Sequence, residues 1–270
     1  MSLQFLPVVA GERSDPLTIA STAGSVAEIP LTGIGNGAGG AIDPAEQVTI
    51  GSSLTPRGVA ADSSESVYVS DSSSGSVLKY TAVSGVPTTL ASGFTTPSGL
   101  AVDAAGSVYV ADPGTSQVTR IAEGGTVSSI GSNLTTPVGV AVDLNGNIYI
   151  ADSCQSSIIE VSSALTAQTL GGSGFSTLSS VAVDSAFNVY VADPAAGKVT
   201  KITPTGVSTV VSTGPSVPTS VTVDAAASLY VTDAATLSVF LVSATSGPAT
   251  AIYSNLVSPR AISVNGVGNV

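Results

Sequence analysis

The chain contains no histidine and a single cysteine, Cys154, and only 9% of its 270 residues are charged. Without histidine, zinc loses its commonest nitrogen ligand and general acid–base chemistry near neutral pH loses its natural residue. One thiol makes neither an intramolecular disulfide nor a thiolate cluster, so cysteine usage leaves the redox compartment open. No apolar run reaches the ~18 residues that a membrane-spanning helix needs. The start, Met1-Ser2-Leu3-Gln4-Phe5, lacks the basic and long apolar regions of a signal peptide. If the parent protein is exported, its signal lies upstream. Seven basic against 18 acidic residues give a net charge of −11, which opposes nucleic-acid phosphates and anionic lipid heads.

What the chain has in quantity is small and apolar residues: 43% hydrophobic, with 29 Gly and 15 Pro. Its surface must therefore be covered by Ser, Thr, Ala and Gly, a composition that suits extracellular or cell-surface bacterial proteins. Length is sufficient for one large β domain with a real core.

The aspartates are periodic. Asp62, Asp103, Asp143, Asp184 and Asp224, with Asn265 in the sixth place, are spaced by 41, 40, 41, 40 and 41 residues. Asp71, Asp112, Asp152, Asp193 and Asp233 each follow nine residues behind. A fixed period of this length marks an array of supersecondary units that bury apolar surface only against their neighbours. The copies read PRGVAADSSESVYVSD from Pro56, PSGLAVDAAGSVYVAD from Pro97, PVGVAVDLNGNIYIAD from Pro137, LSSVAVDSAFNVYVAD from Leu178 and PTSVTVDAAASLYVTD from Pro218. A partial sixth, PRAISVNGVGNV, starts at Pro259. Val, Ile and Tyr alternate with small residues between Asp-x-x-Gly clusters, the pattern of short strands and tight turns.

Each copy reads as four antiparallel strands, as in blade two, where Gln117 to Ile121 and Thr126 to Ile130 follow the first pair. Four strands per ~40 residues is the blade of a β-propeller, whose radial packing leaves only short edges. The expected fold is all-β, a six-bladed propeller of four-stranded antiparallel blades. Gln47 to Ser52 (QVTIGS) matches an outermost strand and Ala261 to Val264 an innermost one. The closing blade is then shared between the two ends and incomplete, without most of its second strand and all of its third.

The consensus G-V-A-V-D-x-x-G-N-V-Y-V-A-D, fullest at Gly139 to Asp152, resembles the NHL-type repeat. The resemblance recurs five times in register over roughly residues 47–270, so 45–270 is read as the propeller domain. It implies a ligand- or protein-binding module, similar to the extracellular sensors of some bacterial serine/threonine kinases. Residues 1–40 fall outside the repeat. FLPVVAGERSDPLTIAS followed by EIPLTGIGNG resembles the last strands of an immunoglobulin-like module, with Asn36 to Pro44 as linker. Half a sandwich cannot cover its own apolar face, so the chain reads as a monomeric fragment of a longer multidomain protein.

Two readings stand for the aspartate rings. An Asp that opens a four-residue turn accepts that turn's N–H groups, or the carboxylates hold calcium; no other cofactor is expected. The recurrent Tyr68, Tyr109, Tyr149, Tyr190 and Tyr230 suit packing between sheets. The variable positions are more informative. The residue after the Pro is Arg57, Ser98, Val138, Ser179, Thr219 and Arg260, and ring closure makes the two arginines neighbours at the funnel rim beside Asp71. Arg57 then either pairs with Asp71 or, with Arg260, holds a carboxylate or phosphate. Cys154 and Gln155 share that face.

Glu65, Glu123 and Glu160 are the only glutamates in the array and form no convergent pair by spacing; no Ser-His-Asp set or phosphate-cradling loop is present. The expectation is a non-catalytic, extracellular binding or scaffolding module, with a protein, peptide or glycan partner at the funnel face. The alternative is a metal-dependent lactonase or hydrolase working in the central channel, and a third is a structural spacer.

Overall fold

The computed structural model describes residues 26–30, 47–52, 54–81, 86–170, 174–212, 214–242, 249–264 and 270, and none of them is helical. Twenty of the 22 strands form five four-stranded antiparallel sheets. From innermost to outermost, blade 1 runs Pro56–Ala61, Val67–Asp71, Ser76–Tyr80 and Thr88–Ser92. Blade 2 is Leu100–Val102, Val108–Asp112, Gln117–Ile121 and Val127–Ile130. Blade 3 is Pro137–Val142, Ile148–Asp152, Ser157–Val161 and Ala167–Thr169. Blade 4 is Ser180–Val183, Val189–Asp193, Lys198–Ile202 and Ser208–Ser212. Blade 5 is Pro218–Val223, Leu229–Asp233, Ser238–Val242 and Thr250–Tyr253.

The core lies between blades. Tyr68 and Val77 of blade 1 pack with Leu100, Val108 and Val110 of blade 2, and Tyr190 and Val199 of blade 4 pack with Val221, Leu229 and Val231 of blade 5. Second strands are buried along their whole length in blades 2 to 5, because one face meets the preceding blade and the other the next. Each fully buried Val or Ile contributes about 1.5–3 kcal/mol, so a blade alone would leave most of its stabilisation unrealised. The recurrent tyrosines are 0–4% exposed and fill these inter-blade layers, as their spacing suggests.

Five complete blades are present rather than six. Gln47–Ser52 is a strand, but it pairs with Val26–Pro30 and belongs to none of the five blades. The sixth copy contributes Pro259 to Val264 without a ladder partner, since no second strand faces it among the described residues. The ring still closes: innermost segments of all six copies, from Arg57–Ala61 round to Arg260–Val264, line one central channel of about 220 Å³. The expected immunoglobulin-like remnant and linker lie mostly outside the described residues.

Close approach of the innermost strands depends on small residues two places after the residue that opens each copy, Pro in five and Leu178 in the fourth. They are Gly58, Gly99, Gly139, Ser180, Ser220 and Ala261. A Cβ on Gly58 would lie 2.1 Å from the Ser98 carbonyl oxygen, and one on Gly99 2.7 Å from the Gly139 Cα.

Candidate functional site

The two aspartate rings do different structural work. In the first, Oδ1 accepts the N–H groups two and four residues on, as Asp103 does from Ala105 (3.0 Å) and Ser107 (2.8 Å). The fourth residue of each turn has positive φ, whether Gly106 and Gly146 or Glu65, Phe187 and Ala227, which explains the Asp-x-x-Gly bias. The other oxygen, Oδ2, accepts the hydroxyl of the tyrosine six residues on, at 2.9–3.2 Å in all five blades. Burial, helped by the neighbouring carboxylate, pushes the phenols of Tyr149, Tyr190 and Tyr230 far above their ordinary value.

The second ring ties two loops together. Asp112 accepts the N–H groups of Thr95 and Thr96, both at 2.9 Å, and of Gly114 at 3.1 Å. Asp152 and Asp193 repeat this with Thr135 and Thr136 and with Ser176 and Thr177, and Asp233 does so with Ser216 and Val217. Burial raises the Asp71 carboxyl, but hydrogen bonds from Ser74, Thr55 and Ser73 outweigh it and leave the group below its usual range. Asp233 is lowered in the same way by four backbone N–H groups. Sequence reading missed the back-bonding, although a Thr-Thr or Ser-Thr pair 16 to 17 residues before the second Asp signals it in blades 2 to 4. These carboxylates are saturated by N–H and O–H donors. No group of three or more potential metal ligands occurs among the described residues.

Opposite the tyrosine of each Asp–Tyr lock stands a third-strand residue: Lys79, Arg120, Glu160 and Lys201 in blades 1 to 4, and Leu241 in blade 5. Lys79 reaches Asp62 at 4.0 Å and lies 5.0 Å from the centre of the Tyr68 ring, and Lys201 lies 5.7 Å from that of Tyr190. Arg120 donates to Ser107 Oγ at 2.9 Å. Glu160 breaks the pattern and accepts from Gln168 Nε2 at 2.9 Å.

At the funnel face, Asp71 stands opposite Pro56, next to Arg57 in the chain. Arg57 and Arg260 are both exposed and both line the central channel. Asp71 is 3% exposed, and its oxygens are taken by Thr55 N–H at 2.8 Å, Ser73 Oγ at 2.8 Å and Ser74 Oγ at 2.6 Å. The Arg57–Asp71 pair therefore does not form. The one ion pair among the described residues is Lys79–Asp62, which leaves both guanidiniums without a carboxylate there. Gln155 is occupied at the rim, donating to Asn133 O, Thr135 Oγ1 and Asp152 Oδ2 at 2.7, 3.0 and 3.1 Å, and Cys154 is exposed.

Comparison with known proteins meets this geometry at the level of fold. A family model described as a β-propeller repeat (SBBP) matches residues 118–151, from the third strand of blade 2 to the second strand of blade 3. No curated protein matches the chain significantly. Among solved structures, a chain of a nidogen/laminin complex is 21% identical, with a TM-score of 0.70 over 76% of this chain and 82% of that one. The virginiamycin B lyase of Staphylococcus aureus is 16% identical, with a TM-score of 0.65 over 79% and 75%. A gluconolactonase of Xanthomonas campestris is 15% identical, with a TM-score of 0.68 over 78% and 80%. What they share with this chain is the propeller.

Proposed function

We propose that this propeller is a non-catalytic, extracellular binding or scaffolding module of NHL-like type, which engages an anionic group of a protein, peptide or glycan at its funnel face. The observation that carries the reading is the pair Arg57 and Arg260, exposed on the rim of one channel and free of carboxylate partners among the described residues. Guanidiniums in this state present planar N–H forks suited to a carboxylate or phosphate. On a chain of net charge −11 they are also an isolated attractive spot for an anion.

Binding is favoured over catalysis by what the channel wall is made of. Apart from the two arginines, its described lining is Gly, Ala, Val, Leu, Ile, Ser and Thr, with no acid or base among the described residues that could move a proton. A histidine-to-alanine form of the staphylococcal lyase, solved with quinupristin, is described as catalytically inactive, and this chain has no histidine at all. Propellers host both binders and enzymes, so the fold supports either class; the lining supports the binder.

The test is titration with a short oligoglutamate peptide, followed by calorimetry at low salt. Saturable binding is expected to weaken at least tenfold in Arg57→Ala or Arg260→Ala and to fade as salt screens the pair. Equal affinity in wild type and both variants would remove the rim site. Calcium separates this reading from a lactonase-like one. Because a ligand that binds only the native state must raise its melting temperature, millimolar calcium is expected to shift the midpoint by no more than about 1 °C, and a rise of several degrees would favour the metal-dependent alternative.

A further inference from the structure

The backbone that walls the central channel is not the same in every blade. Hydrogen-bonded and non-hydrogen-bonded pairs alternate along an antiparallel ladder, so every second residue of an innermost strand turns its N–H and C=O away from the blade and into the channel. In blade 2, Ala111 exchanges bonds with Ser98 and Gly99, and the next residue, Leu100, faces inward. Val140, Val181 and Val221 hold the same place in blades 3 to 5. Two copies close this inward amide with a neighbour's hydroxyl: Val221 N–H donates to Ser180 Oγ at 3.2 Å, and Ile262 N–H donates to Ser220 Oγ at 3.3 Å.

Blades 3 and 4 leave it open. The residue in the serine's place is Gly99 beside Val140 and Gly139 beside Val181, and a Cβ on either glycine would lie 3.2 Å from the amide nitrogen. Val140 and Val181 are 4% and 6% exposed and line the channel, and their amides have no acceptor among the described residues. A buried amide in this state is rare, and water or a ligand must supply the missing oxygen.

Ring order sets these amides against the arginines. The innermost segments follow one another round the channel and close with Ala61 N–H on Ser263 Oγ at 3.1 Å, so blade 1 faces blade 4 and the sixth copy faces blade 3. Arg57 therefore stands across from Val181 and Arg260 across from Val140, each two residues nearer the mouth. Two strand residues span ~7 Å, a depth that an extended arginine side chain covers.

We infer that the anionic group taken at the rim is the terminal carboxylate of a polypeptide that ends in a small residue and enters the channel end first; this rests on the rim site proposed above. The carboxylate accepts from the Val140 and Val181 N–H groups, and the forks of Arg57 and Arg260 close on it from the opposite wall. Carbonyls select a chain end over other anions. Val140 and Val181 turn their C=O groups inward on the same edge, and a phosphate or an acidic side chain, which only accepts, would leave them unmatched. The last residue of an extended chain carries an N–H beside its carboxylate and answers both groups, as a strand added to an edge does. A channel of about 220 Å³ holds the volume of about seven waters, room for one or two small residues.

The probe is N-acetyl-Gly-Ala-Ala with a free carboxylate, titrated by calorimetry at low salt beside its C-terminal amide and beside N-acetyl-Ala-Glu-Ala amide, whose one charge is on a side chain. The free acid is expected to bind at least tenfold more tightly than either. At saturation it is expected to slow hydrogen exchange at the Val140 and Val181 amides. Gly139→Ser copies the serine of the next two blades, and by capping Val181 it should weaken the acid at least tenfold. If that variant does not fold, exchange at the two amides of the wild type decides. Equal binding of acid and amide, no protection at those amides, or a folded Gly139→Ser protein of full affinity overturns the inference. The two readings fail differently. Tighter binding of the internal glutamate, lost in Arg57→Ala, removes the chain-end assignment and keeps the rim site, whereas acid binding unchanged in both Arg57→Ala and Arg260→Ala removes the rim site and this inference with it.

Discussion

Gly58→Ala is expected to be among the most damaging single substitutions in the chain, lowering stability by on the order of 4 kcal/mol. The added Cβ would sit 2.1 Å from the Ser98 carbonyl oxygen and about 3 Å from backbone atoms of the neighbouring strand. That oxygen cannot retreat freely, because Ser70 Oγ holds it at 2.6 Å and the strand is locked in the next blade. Relief requires two innermost strands to part, which opens the inter-blade core of Tyr68, Val77, Leu100 and Val108. The neighbours should follow in order of space: Gly99→Ala next, with a contact of 2.7 Å, and Gly139→Ala least, with 3.2 Å. Gly124→Ala is the control, since nothing lies within 4 Å of its Cβ, and it should stay within about 0.5 kcal/mol of wild type. Urea unfolding of the four variants checks the ranking, and a Gly58→Ala protein as stable as the Gly124→Ala one would mean that the ring does not close as described.

The second large effect is expected at high pH. Tyr68, Tyr109, Tyr149, Tyr190 and Tyr230 all have phenols raised by burial and by their aspartate partners. A raised folded-state value means that the unfolded chain ionises first, so this stability is fully present below about pH 10 and is lost as pH climbs beyond it. Each tyrosine that stays protonated in the fold steepens the loss by about 1.4 kcal/mol per pH unit. Five acting together should give one abrupt transition in which phenolate absorbance and loss of β-sheet signal coincide. Tyr230→Phe removes one ionising group and should make that transition visibly shallower, at a cost of about 1 kcal/mol for the lost hydrogen bond. Gradual phenolate formation near pH 10 with the sheet intact would contradict the Asp–Tyr lock. On the acid side the sign reverses. Asp71 and Asp233 are held below their ordinary value, so their contribution is present above about pH 4 and fades as pH falls through the folded-state values.

Most of the architecture was legible because each signal was repeated. Alternation in VYVAD marked the second strands, the Asp-x-x-Gly clusters marked the turns, and the period of 40 to 41 residues marked the blades. The tyrosine's place in the core was readable from its recurrence, but its hydroxyl bond to the aspartate six residues earlier was not, since strand geometry alone does not say where a side chain ends. Ring closure brings Arg57 and Arg260 to line one channel. That Asp71 does not pair with Arg57 was invisible in sequence, because Ser73, Ser74 and the Thr55 N–H take the same carboxylate. The pairing of the N-terminal strand was not legible for a different reason. Val26 to Pro30 is too short a segment to announce its partner, and its bulged pairing with Gln47–Ser52 is seen only in the structure.

The chain's solitary thiol also has a practical consequence. Cys154 is exposed, on the loop that follows Asp152 at the same end of the ring as Arg57 and Arg260. A maleimide fluorophore would attach there alone, without engineered cysteines, and convert the native molecule into its own reporter of whatever settles over the channel opening.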